Sequence, residues 1–449
     1  MITTTDTKNG VLRGAAEEGV VVFRGVPYAE AVRFCAPGPV QPWPGERDAS
    51  RDGPICPQLP SRLEAVMGVQ EDHEQSEDCL NLTITTPAVD DSLRPVLVWF
   101  HGGGFVTGAG NLSWYGGHRL AREGDIVVVG VTYRIGTLGY LRAAGGSDGN
   151  FAPADQLAAL QWVHENIAAF GGDPGAVTIA GQSAGAHSVR CLLGMPQTRG
   201  LFHRAIIQSD PTGAVGIGNA RMASRSGRRF VNHLGSDPRQ ASIASILGAQ
   251  GKLIAESGGR LKLIPASGHM TVPGVGVMPT QAQWNAEIDS RAQDLDVIIG
   301  TTAQEMTAFH RQVPWMQRLR TIPGIGPAMA TAIEQTIKAL MFGIPSRRLA
   351  RRLSRAGARV WMYRFDYRAP DSGFGATHCI ELPFLLGSDA AWADAPMLAG
   401  ADRRELDTIG RQARAAWLSF VRIGAPSADP EWSRFTAPKP FVRHLGVAG

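Results

Sequence analysis

The chain has little of what would mark a membrane protein, a disulfide-built secreted scaffold or a nucleic-acid binder. No run approaches the ~18 consecutive apolar residues of a membrane-spanning helix. The opening Met1-Ile2-Thr3-Thr4-Thr5-Asp6 lacks a basic stretch followed by an apolar core, the pattern of an export leader. A soluble, cytoplasmic protein is therefore expected. Five cysteines in 449 residues are few and odd in number, which suits reduced thiols better than a disulfide framework. Charge is nearly balanced, with 44 basic against 40 acidic residues and a net +4, so no strongly basic face for a phosphate backbone is expected. Internal repeats, metal-ligand clusters and a phosphate-binding glycine fingerprint are not apparent. No cofactor or metal is required, and the expected partner is a small molecule, with the chain a monomer or weak homo-oligomer.

What is present is ample apolar material, 44% of residues, enough for residues 1–449 to form one large α/β domain. The stretch that organises the rest runs from Phe170-Gly171-Gly172-Asp173-Pro174 through Val177-Thr178-Ile179-Ala180 to Gly181-Gln182-Ser183-Ala184-Gly185. A serine between two glycines in G-x-S-x-G form allows a strained strand-to-helix turn that pushes the hydroxyl out of a sheet. A glycine-serine loop fits the bare pattern equally well; the strand before it and the helix after it favour the elbow. An alcohol needs a base to take its proton and an acid to orient that base. It also needs donors for the oxyanion, each typically worth about 10²–10³ in rate. His101-Gly102-Gly103-Gly104-Phe105, directly after the apolar run Val96–Phe100, has the form expected of such a donor loop.

These motifs resemble the type-B carboxylesterases, the α/β-hydrolase branch that includes the cholinesterases, with the bacterial para-nitrobenzyl-esterase-like members nearest in kind. Phe170 to Gly185 fits the family's serine signature, and Glu77-Asp78-Cys79-Leu80-Asn81-Leu82-Thr83-Ile84 resembles its second signature, with Asn81 where an aromatic or threonine is usual. The resemblance implies an α/β-hydrolase fold: a mostly parallel central sheet, helices on both faces and a helical cap. It implies Ser183 as nucleophile and the N–H groups of Gly103, Gly104 and Ala184 as oxyanion donors. It also implies an Arg33–Glu77 ion pair and, were the protein exported, a Cys56–Cys79 disulfide.

The remaining chemistry is expected downstream, because the order in this fold is serine, acid, histidine, with the acid on a loop after a strand. Glu305 follows the apolar strand Leu295–Gly300 and resembles the family's triad acid; Asp296 is the weaker alternative. His378, in Gly375-Ala376-Thr377-His378-Cys379-Ile380-Glu381-Leu382-Pro383, resembles the family's base. Ser188 and Glu381 are expected in a supporting layer, while His164 and His187 read as structural. The glycine- and arginine-rich stretch 211–290, together with 310–355, is expected to form the cap, a partly disordered insertion being the alternative for the first. Ile322-Pro323-Gly324-Ile325-Gly326-Pro327-Ala328 resembles a DNA-binding helix-hairpin-helix, but a glycine-proline helix start in the cap explains it better, and Arg347, Arg348, Arg351, Arg352 and Arg355 read as a solvated helix face. The expected function is hydrolysis of carboxylic esters through an acyl-enzyme. Amide, carbamate or thioester hydrolysis and a non-catalytic binding module are the alternatives.

Overall fold

A computed structural model describes residues 3–143, 148–215, 220–257, 259, 261–265 and 267–447. Three short strands, β1 (Thr4–Thr7), β2 (Gly10–Arg13) and β5 (Glu46–Asp48), make a small separate sheet. The other ten form the main sheet: β3 (Ala15–Glu17), β4 (Val20–Pro27), β6 (Asn81–Thr86), β7 (Arg94–Phe100), β8 (Val127–Val131), β9 (Gly172–Gln182), β10 (Arg204–Gln208), β11 (Asp296–Thr302), β12 (Arg359–Phe365) and β13 (Arg443–Leu445). Their spatial order is β13-β12-β11-β10-β9-β7-β8-β6-β4-β3. From β8 to β13 every neighbour is parallel, whereas β3, β4 and β6 join antiparallel. β1 and β2 pair antiparallel in the small sheet, outside the main one.

Why the central strands read as unbroken apolar runs is visible in how they divide. Val96, Val98 and Phe100 of β7 pack into one core, while Leu97 and Trp99 pack into the other. Val297 and Ile299 of β11 likewise oppose Ile298. Side chains alternate across a strand, so a sheet buried on both faces needs apolar residues at every position. One face is covered by helices Phe151–Asn166 and Ala184–Leu193 through Leu157, Leu160, Val163, Val189 and Leu192. The other is covered by Arg403–Ile423 through Ile409, Ala413, Trp417 and Phe420. That last helix starts where the Asp402 carboxylate accepts from the N–H groups of Arg404 and Glu405, at 2.8 and 3.0 Å, and stops at Gly424 with φ 73°. The expected sheet covered on both faces is present.

The 211–290 stretch is more regular than its composition predicts. It contains helices Ala220–Leu234, Ile243–Glu256 and Gln281–Arg291; residues 216–219, 258, 260 and 266 lie outside the described residues. Residues 310–355 contribute helices Pro314–Arg320, Gly326–Lys338 and Ile344–Arg355. Ile322–Gly326 is the turn between the first two, which pack through Val313, Met316 and Ala330. Arg347, Arg348, Arg351 and Arg355 are exposed, and Arg352 donates to Asp289 at 2.6 Å. Arg33 Nε donates to Glu77 at 2.8 Å, so that implied pair forms. All five cysteines, Cys56 and Cys79 included, are free thiols. Among the described residues, no helix is long and apolar enough to cross a membrane.

A buried ion pair ties the loop after β8 to the helix before the elbow. Arg134 Nη2 and Nε reach the two oxygens of Asp155 at 2.6 and 2.8 Å, both side chains being almost wholly enclosed. Two residues on, the Gly136 N–H donates to the Phe105 carbonyl at 2.6 Å, fixing the end of the glycine loop. Replacing Arg134 by Met leaves a buried carboxylate without its cation, which typically costs about 3–5 kcal/mol. Urea unfolding of R134M is expected to show a loss of that size, and the double variant R134M/D155L to recover most of it. Equal losses in both would mean that packing, not charge, is what the pair supplies.

Candidate active site

Strand β9 ends at Gln182, a helix begins at Ala184, and Ser183 between them has φ 58° and ψ −122°. A non-glycine residue held on this side of φ costs about 1–3 kcal/mol and persists only where its surroundings fix it. The surroundings here are backbone. A Cβ on Gly185 would lie 2.0 Å from the Phe100 carbonyl oxygen, and one on Gly181 2.5 Å from the Gly185 carbonyl carbon. Both glycines are therefore required for the turn to close against β7. The Ser183 N–H donates to the Gln208 carbonyl at 2.9 Å, and the residue lines a cleft of about 540 Å³, counted to its open mouth.

The glycine loop after β7 passes directly over the serine. A Cβ on Gly102 would come within 3.2 Å of Ser183 Cβ, and one on Gly103, whose φ is 104°, within 2.0 Å of the Thr107 carbonyl oxygen. The loop is held from behind by Tyr133, whose hydroxyl donates to the His101 carbonyl at 2.8 Å and whose ring stacks on the His101 imidazole at 4.3 Å. Burial lowers His101 to about 4, so it is neutral at ordinary pH and serves as packing. Among the described residues, the N–H groups of Gly103, Gly104 and Ala184 meet no protein acceptor.

Glu305 and His378 come from loops after neighbouring strands, β11 and β12. The loops are pinned together where the Gln304 N–H donates to the Ala376 carbonyl at 2.8 Å. His378 Nδ1 stands 2.5 Å from Glu305 Oε2, both side chains fully enclosed. Glu305 Oε1 accepts from the Ser209 hydroxyl and the Thr302 N–H, each at 2.7 Å. Burial pushes the Glu305 carboxyl upward, but the charge and hydrogen bond of His378, with those two donors, outweigh it and hold Glu305 below its ordinary 4.5. A carboxylate at Nδ1 fixes the proton there and leaves Nε2 as acceptor. The amide nitrogen of Gln182, the residue before Ser183, lies 3.2 Å from that Nε2, which puts it beside the elbow. Phe309 and Phe342 close on the imidazole with ring centres at 5.3 and 5.4 Å.

The Carboxylesterase family profile matches residues 2–321 and 326–447. The chain belongs to the carboxylesterase family. It is 43% identical to the probable N-octanoylanthranilate hydrolase of Rhodococcus erythropolis, over 99% of this chain and 98% of that one. It is 33% identical to the para-nitrobenzyl esterase of Bacillus subtilis, over 94% and 90% of the two chains. A solved para-nitrobenzyl esterase structure superposes with a TM-score of 0.84 at 30% identity, covering 99% of this chain and 96% of that one. The protein is thus a serine carboxylesterase on an α/β-hydrolase fold.

The residues expected in a supporting layer of this carboxylesterase, Ser188 and Glu381, are both buried. Ser188 accepts from Gln156 at 2.8 Å and donates at 3.2 Å to the carbonyl of Ala184, the residue after Ser183. The serine that touches the acid is Ser209, directly after β10 between Gln208 and Asp210, with no motif to announce it. Asp296 opens β11 at the opposite end of the strand, where it pairs with Arg359 at 2.5 Å, so Glu305 and not Asp296 faces the histidine. His164 is exposed. His187 lies between the hydroxyls of Thr212 and Thr271, at 3.1 and 3.0 Å, joining the elbow helix to the 211–290 stretch.

Glu381 is also fully enclosed, but its Oε1 receives only Gln208 at 3.4 Å and its Oε2 has no partner among the described residues. Burial, then the Glu305 charge, raise it from 4.5 to about 7. The folded chain therefore keeps a proton that the unfolded chain releases between those values, and stability falls as pH rises through that window. Unfolding curves at pH 5 and pH 8 are expected to show E381Q gaining on the parent by up to about 3 kcal/mol. A constant difference between the two proteins at both pH values would contradict a raised Glu381.

Proposed function

We propose that Ser183, His378 and Glu305 act as a charge-relay-free triad in which Glu305 orients the imidazole and supports its positive charge, while His378 Nε2 takes the Ser183 proton. The serine oxygen attacks the ester carbonyl, and the oxyanion is held by the Gly103, Gly104 and Ala184 N–H groups. Collapse transfers the His378 proton to the leaving alcohol and leaves an acyl-enzyme. Water, deprotonated by the same nitrogen, attacks the acyl carbon; the second oxyanion forms in the same place, and Ser183 recovers its proton. The observation that carries this reading is the enclosed Glu305–His378 pair, whose Nε2 lies 3.2 Å from the Gln182 amide nitrogen, next to a strained serine that opens on a cleft. A non-catalytic binding module needs none of this strain, and the full set of three residues argues against it.

A second reading is favoured by one relative. The protein 43% identical over nearly the whole chain is named for N-octanoylanthranilate, an N-acyl compound, so amide hydrolysis by the same groups is a reasonable extension here. It asks more of His378, which must protonate a poorer leaving group. The expected partner in either case is a small molecule.

The test is hydrolysis of p-nitrophenyl butyrate by the parent and by S183A, H378Q and E305Q, each checked for folding. S183A and H378Q are expected to lose about 10⁴-fold or more in kcat, with E305Q following at about 10³–10⁴-fold. A folded S183A that keeps a tenth of the parent rate would overturn the assignment of Ser183. An N-acyl anilide run beside the ester decides the second reading.

A further inference from the structure

The cleft that holds Ser183 is lined mainly by Leu63, Phe105, Phe309, Met341 and Phe342, and the one charged residue among its described lining is Arg62. The guanidinium stands beside the glycine loop: a Cβ on Gly104 would be 3.3 Å from Arg62 Nη2. Gly104 itself has φ 62°, a conformation that favours glycine. The backbone that carries Arg62 is tied down on both sides. The Leu63 N–H donates to the Ser61 hydroxyl at 3.1 Å and the Glu64 N–H to the Ser61 carbonyl at 3.4 Å, immediately before the short helix Glu64–Met67.

The Arg62 side chain keeps open surface, yet the surrounding protein is dense enough to lower its pKa below 12.5. Arg62 lines the cleft beside Gly103, Gly104 and Ser183, so part of that surface faces it. Arginine remains charged under any such shift. A cation in a partly desolvated, apolar site attracts an anion more strongly than one on a free surface, because water screens the pair less. Its planar fork also matches a carboxylate in two parallel hydrogen bonds. A neutral ester gains nothing from it.

We propose that Arg62 is a specificity-determining residue that selects esters and amides bearing a carboxylate a few bonds from the scissile carbonyl. The apolar lining takes the hydrocarbon remainder of such a substrate. This assignment rests on Ser183 being the reacting residue of the same cleft. The short span from Gly104 to the guanidinium sets the spacing: a carboxylate ortho to the ester oxygen of an aryl leaving group fits, whereas one at the far end of a long chain does not.

The test compares phenyl butyrate with 2-carboxyphenyl butyrate on the parent, R62Q and R62K, each checked for folding by circular dichroism. The readout is the ratio of kcat/KM for the two esters; dividing parent by variant cancels the esters' different intrinsic reactivity. R62Q is expected to lower the preference for the carboxylated ester about 10–100-fold, mostly through KM, as a lost charge-assisted bond would. R62K, which keeps the charge without the fork, is expected to fall between. Equal losses on both esters would overturn the proposal, because Arg62 would then act on every substrate alike. A calorimetric arm does not depend on turnover: 2-hydroxybenzoate is expected to bind the parent about tenfold or more tighter than R62Q, with phenol showing no such difference. Absence of that contrast overturns the proposal. A parent inactive on both esters but showing it would sink the Ser183 reading alone.

Discussion

The site depends on how closely the Gly181–Gly185 turn lies against the end of β7. A Cβ at either glycine would drive into backbone, at 2.5 Å for Gly181 and 2.0 Å for Gly185, and backbone in the middle of a ten-stranded sheet cannot step aside. This close approach holds Ser183 at its unfavourable φ of 58° and lays the glycine loop after β7 over it. The two loops then share one piece of architecture, so Ser183 and the N–H groups of Gly103, Gly104 and Ala184 cannot be misplaced independently. Preorganisation of this kind is what makes backbone N–H groups effective toward developing charge, since nothing has to reorient as the charge appears.

Two enclosed carboxylates near His378 show how environment assigns roles to identical chemistry. Glu305 receives a hydroxyl, a backbone N–H and the imidazole, and stays below 4.5 despite burial. Glu381 receives one long bond from Gln208 and rises to about 7. Only the first is suited to support a positive imidazolium, and only the first reaches Nδ1. Opposed shifts in neighbouring acids are a general sign of divided labour at an active site.

What the sequence discloses and what it withholds follow the same physical line. Gly103, Gly181 and Gly185 are legible because no other residue fits their backbone, so their spacing is a geometric record of the turn. Glu305 and His378 are legible because each follows an apolar strand run in the order the fold demands. Ser209 leaves no such trace: one hydroxyl after a strand has no periodicity, and only the parallel pairing of β10 with β11 brings it to Glu305. The 211–290 stretch was harder to read because its helices bury narrow stripes. Ala223, Gly227 and Phe230 are the buried residues of Ala220–Leu234, among four arginines. A signal was nonetheless there in Thr280 and Gln283, a reciprocal helix cap. Arg62, Phe309 and Phe342 belong to segments without motifs, and only the fold brings them to one cleft.

The most direct measurement is the mass of the intact protein after treatment with a fluorophosphonate, followed by peptide mapping of the adduct. The account predicts one equivalent of label, carried on Ser183, with labelling abolished in H378Q although Ser183 is still present. Label on another residue, or undiminished labelling without the imidazole, would contradict the claim that His378 activates Ser183 in a preformed oxyanion site.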